Sequence, residues 1–267
     1  MSDIKALTRK DQDLLTAIRQ LKMPGMAASI ESQLNNALAY AGMDFTDRLM
    51  EAVQAQQDYA RQRSYENSIR KAGLPWNSTL EEFGRLGDRG LSTQDIHDLA
   101  ALRWVRKAVN LLMVGHSGAG KSTLASAIAE TAIRNGFKAE YWSTDDLLDS
   151  LAAISDHKAY SRAMKRLART HVLILDDFLN GSVTRQRIDA LYNVLAMRSG
   201  KLPTVICTQI LPEGFRNMLT AGAESSCGPR DVPMASIDSI VDRMLHPSHI
   251  IMLKGDSLRK KADCSIS

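Results

Sequence analysis

The stretch GHSGAGKS, from Gly115 to Ser122, places three glycines, a lysine and two serines within eight residues. It matches the pattern GxxxxGK[ST], in which glycines let backbone N–H groups approach a phosphate without a Cβ clash. A helix expected directly after the loop adds partial positive charge at its N-terminus. The alternative is a chance glycine loop. We expect ATP to contact the loop through Gly115, His116, Ser117, Gly118, Ala119, Gly120, Lys121, Ser122 and Thr123.

Four side chains in this part of the chain suit a nucleotide bound with magnesium. Lys121 is expected to reach the β- and γ-phosphates, and the Ser122 hydroxyl to hold Mg²⁺. The run HVLILDD ends in Asp176 and Asp177, and two acids at the end of a buried strand are costly unless a cation or partner compensates them. We expect Asp176 to bind Mg²⁺ through water. Asp177 is expected to orient or deprotonate the attacking water, the alternative being a solvated acidic pair.

A further apolar run, TVICTQ, ends in the polar residues Thr208 and Gln209. A polar side chain at that strand end could hydrogen-bond the γ-phosphate or the attacking water. Ordinary strand-end polarity is an equally good explanation for either residue taken alone. Both residues are therefore candidate catalytic positions.

The elements that position these residues alternate along the chain from Asn110 onward. Short apolar runs, each predicted to be a strand, are separated by segments with helical periodicity. Such alternation indicates an α/β fold with a parallel sheet between helices, which for this loop means a P-loop NTPase core. The predicted strands are NLLMV, KAEYWS, HVLILDD, TVICTQ and HIIMLKG.

The first hundred residues have helical periodicity, which predicts a small all-helical N-terminal domain. One helical face carries Leu7, Leu14, Ile18 and Leu21; a second helix is marked by Met26, Ile30, Leu34, Leu38 and Ala41; a third begins near Phe45. Capping boxes are predicted at Ser78 with Glu81 and at Ser92 with Asp95. We place the domain boundary within Pro75 to Gly90, giving a helical domain over 1–80 and an ATPase domain over 81–267.

Composition restricts the class of protein. The chain has 267 residues, 44% of them hydrophobic, and a formal charge of +4, which suits a globular protein and mildly favours an anionic partner. No run approaches the length of apolar residues that a membrane span needs, and the N-terminus lacks an apolar signal core. Three widely spaced cysteines fit neither a disulfide framework nor a zinc site. We expect a cytoplasmic protein without a membrane partner.

The segment SDHKAYSRAMKRLART predicts an amphipathic helix with one basic face. Its basic residues fall within one stripe, its apolar residues lie mostly opposite, and its only acid is Asp156. The alternative is a solvated basic face. The functional interpretation is a row of contacts to DNA phosphates without sequence specificity, made by Lys158, Arg162, Lys165, Arg166 and Arg169.

Taken together, these motifs resemble the IstB-type transposition helper ATPases, AAA+ proteins similar to the DnaC-type helicase loaders. The resemblance covers nearly the whole chain. The phosphate loop GHSGAGKS and the acidic strand end HVLILDD, the Walker A and Walker B motifs, are shared with many ATPases. Two other stretches are more specific to the family: LKMPGMAASIESQL near the N-terminus and IDSIVDRMLHPSHIIMLKGDSLRKK near the C-terminus.

The resemblance implies roles for further residues. Arg243 matches the arginine finger that completes the ATP site of a neighbouring subunit, Arg259 matches a second sensor arginine, and Gln209 aligns slightly better than Thr208 with the first sensor. Family members use ATP to assemble on double-stranded DNA as homo-oligomers and to assist a transposase. An alternative for Arg243 is a surface ion pair with Asp242 or Asp238.

Two departures from the family pattern bear on these roles. The segment from Met218 to Asp238 looks longer and more irregular than is usual before the arginine, and the second acid is Asp177 where many AAA+ proteins have glutamate.

Two other functions are compatible with the same phosphate loop. A helicase loader has the same ATPase core and a different client, whereas a small-molecule kinase would not need a subunit-bridging arginine or a helical front domain.

Overall fold

The computed structural model describes residues 7–87, 89–181, 183–227 and 232–258. Its contacts divide the chain into two compact units, Met1–Asn67 and Ser68–Ser267. No helix among the described residues combines the length and the apolar character that crossing a bilayer requires. Arg259 lies outside the described residues.

The first unit is helical, with α1 over Arg9–Gln20, α2 over Pro24–Asn35 and the start of α3, which spans Phe45–Ala72. Two details of the sequence interpretation were wrong. The buried face of α1 is formed by Leu15 and Ile18, whereas Leu14 and Leu21 are exposed. Helix α2 ends at Asn35, so Leu38, which is 94% exposed, and Ala41 lie in turns beyond it.

Helices α2 and α3 come close together at Gly25. A Cβ on this glycine would lie 2.6 Å from the Ala55 carbonyl oxygen and 2.7 Å from the Tyr59 Cβ. The Gln56 side chain of α3 accepts hydrogen bonds from the N–H groups of Gly25, at 3.0 Å, and Met26, at 3.3 Å. Because the first N–H groups of a helix have no partner within it, Gln56 satisfies the start of α2.

The second unit is an α/β structure, as predicted. Its strands are β1 (Asn110–Val114), β2 (Ala139–Ser143), β3 (Val172–Phe178), β4 (Thr204–Thr208) and β5 (Ser248–Met252). Its helices are α4 (Leu80–Gly84), α5 (Thr93–Ala100), α6 (Arg103–Arg106), α7 (Lys121–Arg134), α8 (Thr144–Ala152), α9 (His157–Leu167), α10 (Arg185–Arg198), α11 (Phe215–Cys227) and α12 (Met234–Leu245).

The five strands form one parallel sheet in the order β2-β3-β4-β1-β5. Strand β4 lies between β1 and β3, so the loop after β1 and the acids at the end of β3 flank the end of β4. Because the carboxyl ends of parallel strands share one edge of a sheet, ligands bind in the crevice there. The strand order therefore brings the three predicted polar strand ends together.

A buried arginine joins three segments at the opposite edge of the sheet. Arg198 is 1% exposed, and its guanidinium donates to Thr204 Oγ1 at 3.1 Å, to the Leu167 carbonyl at 2.5 Å and to the Thr170 carbonyl at 2.7 Å. It also donates to the carbonyl of Pro203. Burial lowers the pKa of Arg198 to about 10, so the side chain stays charged at neutral pH.

The starts of α4 and α5 can be compared with the two predicted capping boxes. The box at Ser92 with Asp95 is confirmed at the start of α5. The other box is formed by Thr79 and Glu82, one residue later than the predicted Ser78 and Glu81. Both pairs have the same spacing, and the sequence does not distinguish them.

The segment from Met218 to Asp238 is less irregular than its sequence indicates. Most of its described residues belong to α11 and α12, and residues 228–231 lie outside the described part. The described part of this segment is therefore mostly helical, and its comparison with the family pattern stays a prediction.

Replacing Gly25 by alanine is expected to destabilise the first unit by about 1–3 kcal/mol, because the new methyl group would overlap backbone atoms of α3. Gly42→Ala is the matched control, since nothing lies within 4 Å of a Cβ placed there. Hydrogen exchange of the α1–α3 amides measures the effect. Equal protection in the two variants would contradict close packing at Gly25.

Candidate functional site

The predicted phosphate loop connects β1 to α7 at the carboxyl edge of the sheet. Gly118 and Gly120 have φ values of +82° and +101°, which L side chains rarely adopt. Lys121 is the first residue of α7 and is only 7% exposed. Its ammonium group donates to the carbonyls of Gly115 at 2.8 Å and His116 at 3.0 Å, so the lysine side chain folds over the loop.

Asp176 lies where the loop, β2 and β3 meet, and it is 5% exposed. Ser122 Oγ donates to Asp176 Oδ2 at 2.5 Å, and the Tyr141 hydroxyl donates to the same oxygen. The N–H of Asp177 donates to Asp176 Oδ1 at 2.9 Å. A buried carboxylate is costly unless it is hydrogen-bonded, and these three donors meet that requirement.

The residues around Asp176 fit a magnesium ion. Ser122 and Asp176 converge on one point and offer only oxygen ligands, which Mg²⁺ prefers. The described residues hold no cluster of three or more His, Cys, Asp or Glu side chains suited to a metal. A magnesium ion here would therefore depend on nucleotide phosphates and water for its other ligands.

Tyr141 is a site residue that sequence reasoning missed. Burial, followed by the hydrogen bond to Asp176, raises the pKa of the Tyr141 phenol above its usual value of 10. The hydroxyl therefore stays protonated and acts as a donor to Asp176. No motif marks Tyr141, because its contact with Asp176 depends on β2 lying beside β3.

Asp177 points away from the core into a polar group at the strand end. It is exposed and has a φ of 52°, at a point where the pairing of β3 with β4 is interrupted. Asn180 Nδ2 donates to Asp177 Oδ1 at 2.9 Å, and Gln209 Nε2 donates to Asn180 Oδ1 at 3.4 Å. Asn180, which the sequence analysis missed, therefore links the predicted Asp177 and Gln209.

The two candidates at the end of β4 differ in their surroundings. Thr208 is fully buried, its hydroxyl donates to the Phe178 carbonyl at 2.9 Å, and it accepts from the Ile210 N–H at 3.1 Å. Gln209 is exposed and belongs to the Asp177 group. The Thr208 contacts connect β3 to β4, whereas the Gln209 amide faces the candidate site.

The chain after β5 lies over the phosphate loop. The N–H of Leu258 donates to the Gly118 carbonyl at 3.0 Å, and a Cβ on Gly118 would lie 2.2 Å from Ser257 Oγ. Buried Arg89 donates to the Asp256 carbonyl at 2.5 Å. The segment that precedes Arg259 thus contacts the loop, and no motif identified Arg89 as its anchor.

Arg243 lies on α12, near the amino end of β1 and so at the edge of the sheet opposite the phosphate loop. Asn110 Nδ2 donates to the Arg243 carbonyl at 2.8 Å. Asn110 is the first residue of the five-residue strand β1, and the phosphate loop begins after its last residue, Val114. At about 3.3 Å per residue, β1 separates these two places by roughly 13 Å. The Arg243 backbone is therefore well separated from the chain's own loop.

The Arg243 side chain has no carboxylate partner among the described residues. Its guanidinium lies 5.2 Å from the centroid of the Tyr192 ring and donates to the Ser239 carbonyl at 3.1 Å. Asp238 instead pairs with Arg216, at 2.6 Å. The ion pair considered as an alternative for Arg243 is absent from the described part of the chain.

Helix α9 presents its basic side chains to solvent, as predicted. Lys158, Arg162, Lys165, Arg166 and Arg169 are exposed. Two residues of its other face, Met164 and Leu167, are buried.

Two details of the predicted basic stripe required correction. Helix α9 ends at Leu167, so Arg169 belongs to the following turn. Arg166 is partly neutralised by Glu140 of β2, at 3.5 Å, and its guanidinium lies 5.5 Å from the Trp142 ring centroid. Inspection of the α9 segment alone could not identify an acid on another element.

Comparison with known proteins gave consistent matches. The family model described as IstB-like ATP binding protein matches residues 16–265. The ATP-binding protein of insertion sequence IS21 from Pseudomonas aeruginosa is 26% identical over 249 residues, which cover 93% of this chain and 89% of the relative. The ATP-binding protein of insertion sequence IS1162 from Pseudomonas fluorescens is 30% identical over 200 residues, which cover 74% and 86%.

Solved structures with a similar fold were also found. A crystal structure of DnaI, 20% identical, has a TM-score of 0.52 and covers 68% of this chain and 90% of its own. AMPPCP-bound DnaA from Aquifex aeolicus, 15% identical, has a TM-score of 0.52 and covers 73% and 57%. These likenesses confirm an AAA+ fold.

Thr208→Val is expected to destabilise the second unit by about 1–3 kcal/mol, because the buried Phe178 carbonyl and Ile210 N–H would lose their partner. Gln209→Ala should change stability by less than about 0.5 kcal/mol, because the side chain is exposed. Urea unfolding compares the two variants. Equal midpoints would contradict the structural role of Thr208.

Proposed function

Because the chain belongs to the IstB-like ATP binding protein family, we propose that it is a DNA-binding ATPase that helps a transposase to insert an insertion sequence. The observation that carries the ATPase part is the convergence of Lys121, Ser122 and Asp176 at the carboxyl edge of the sheet. Asp177 lies directly beside them. This group contains the side-chain types that phosphoryl transfer from ATP requires.

In this proposal the loop side chains hold the nucleotide phosphates. Lys121 exchanges its contacts with the Gly115 and His116 carbonyls for contacts with the β- and γ-phosphates. Ser122 and Asp176 would hold Mg²⁺, which supplies charge neutralisation at the phosphates when it is bound. Tyr141 keeps Asp176 oriented toward Ser122, since its hydroxyl donates to the same carboxylate oxygen.

Asp177 is the proposed catalytic base that orients the attacking water. Its exposed carboxylate is held by Asn180, which is held in turn by Gln209. Gln209 is therefore the better sensor candidate of the two residues at the end of β4. Arg259, which follows the segment on the loop, keeps its proposed sensor role as a prediction.

Arg243 is proposed to act on the ATP site of a neighbouring subunit. Its backbone lies by the start of β1, remote from its own loop, and its guanidinium has no ion-pair partner among the described residues. An arginine suits this role because it stays charged and presents a planar fork to phosphate oxygens. The proposal implies a homo-oligomer assembled through the ATPase domain.

The DNA and transposase parts of the proposal rest on the relatives and on charge. The relatives from both Pseudomonas species carry insertion-sequence names, which favours transposition over helicase loading. The exposed basic side chains of α9 and its following turn suit phosphate contacts with double-stranded DNA.

The proposed ATPase domain over 81–267 is supported by the contact of α4 with α7.

Asp177→Asn should lower steady-state ATP hydrolysis by about 10²–10⁴-fold, because asparagine cannot accept the proton of the attacking water. Nucleotide affinity should stay near wild type, whereas Lys121→Ala should weaken it by about tenfold or more. Asp189→Asn, an exposed acid on α10, is the matched control. ATP hydrolysis at the wild-type rate in Asp177→Asn would show that Asp177 is not the catalytic base.

Arg243→Ala should spare ATP binding and lower hydrolysis by about 10³-fold or more if the guanidinium acts across an interface. Mixing Arg243→Ala chains with Asp177→Asn chains should restore part of the activity, because some mixed interfaces keep both groups. Arg216→Ala is the control arginine. If mixed oligomers form and no mixture recovers activity, the trans role is wrong.

A further inference from the structure

An open groove of about 900 Å³ lies beside α9, and none of the phosphate loop residues lines it. Its walls come from the end of α3 and the turn after it, from β2 with the residue before it, and from α9 with the turn after it. The lining residues are Ser68, Lys71, Ala72, Gly73, Lys138, Ala139, Glu140, Tyr141, Trp142, Arg162, Lys165, Arg166, Arg169 and Thr170.

The groove carries a large excess of positive charge. Six of its lining residues are cations, and Glu140 is its only lining acid. Glu140 is already engaged by the Thr170 hydroxyl at 2.7 Å, by Trp142 Nε1 at 3.2 Å and by Arg166 at 3.5 Å. Among the described residues, no ion pair involves the remaining five cations, which are Lys71, Lys138, Arg162, Lys165 and Arg169.

Two of these cations lie on segments that the α9 pattern does not include. Lys71 lies in the last turn of α3, and Lys138 immediately precedes β2. Both are exposed. Like charges that face one another across a concave surface repel, and such a surface attracts anions more strongly than a flat one does. A plain solvated helix face would not require matching charges on two other segments.

We propose that this groove binds the phosphate backbone of a DNA strand, with Lys71 and Lys138 as phosphate contacts beside those of α9. The inference rests on the proposed DNA-binding function and names where that site continues. An extended polyanion fits, because the cations lie along an open groove on three segments. The strand can come from a duplex or from single-stranded DNA, since both present the same phosphodiester groups.

The groove also predicts which cations contribute less. Lys158 is exposed on the same helix but does not line the groove, so it belongs to the proposed α9 contacts and not to the groove. Arg166 is already engaged by Glu140 and Trp142, so its contact with a phosphate would compete with an existing pair. The proposed site therefore differs from a uniform stripe along α9.

The test measures the salt dependence of DNA affinity for the full chain, with duplex and single-stranded oligonucleotides of equal length. Each lost phosphate contact should flatten the slope of log K against log salt by about 0.9 on duplex DNA and about 0.7 on single strands. The double variant Lys71→Ala with Lys138→Ala should therefore flatten the slope by about 1.8 or about 1.4. The oligonucleotide on which the full expected flattening appears identifies the strand source.

Lys201→Ala, at an exposed cation that does not line the groove, is the matched control and should leave the slope unchanged. Arg162→Ala with Lys165→Ala tests the α9 part of the site separately. ATP affinity should stay near wild type in every variant, which verifies that the ATPase unit remains folded.

The outcomes separate the groove from the proposed function. If only the α9 variant flattens the slope, DNA binding by α9 stands and the groove inference is wrong. If Lys201→Ala flattens it as much per residue as the double variant, surface charge alone explains binding and the groove is again overturned. If no variant changes the slope, the groove and the α9 site are both wrong.

Discussion

The buried carboxylate of Asp176 is the constraint on which the candidate site depends. At 5% exposure it requires hydrogen-bond donors, and it finds them in Ser122 of α7, Tyr141 of β2 and the N–H of Asp177. These donors come from β2, from β3 itself and from the helix after the phosphate loop. Satisfying one carboxylate therefore holds β2, β3 and α7 in the arrangement that places Ser122 beside an acid.

The features that sequence predicted well are those encoded over short distances. The phosphate loop, the alternation of strands with helices, the Ser92 capping box and the exposed basic face of α9 each depend on neighbours within one or two turns. Where two local solutions were equivalent, the prediction shifted by one residue. Thr79 caps α4 in place of Ser78, and Leu15 is buried in place of Leu14, because tertiary packing decided between similar neighbours.

The missed features depend on the order of strands in the sheet. Tyr141 reaches Asp176 because β2 is hydrogen-bonded to β3, and Thr208 bonds Phe178 because β4 lies on the other side of β3. Asn180 joins Asp177 to Gln209 for the same reason. A single sequence contains no spacing rule for the long-range pairs. The partners are 35 residues apart for Tyr141 and Asp176, 30 for Thr208 and Phe178, and 29 for Gln209 and Asn180.

Strand β2 connects the candidate nucleotide site to the basic groove through consecutive residues. The Tyr141 hydroxyl contacts Asp176, while Glu140 on one side and Trp142 on the other contact Arg166. The pairing of β2 with β3 fixes all three residues in one register, so a shift of Asp176 that carried Tyr141 with it would act directly on the backbone beneath Arg166. Packed interiors transmit such strain because they have few voids. An edge strand placed in this way gives the candidate nucleotide site and the proposed DNA groove a short physical connection, of the kind that coupling between them would require.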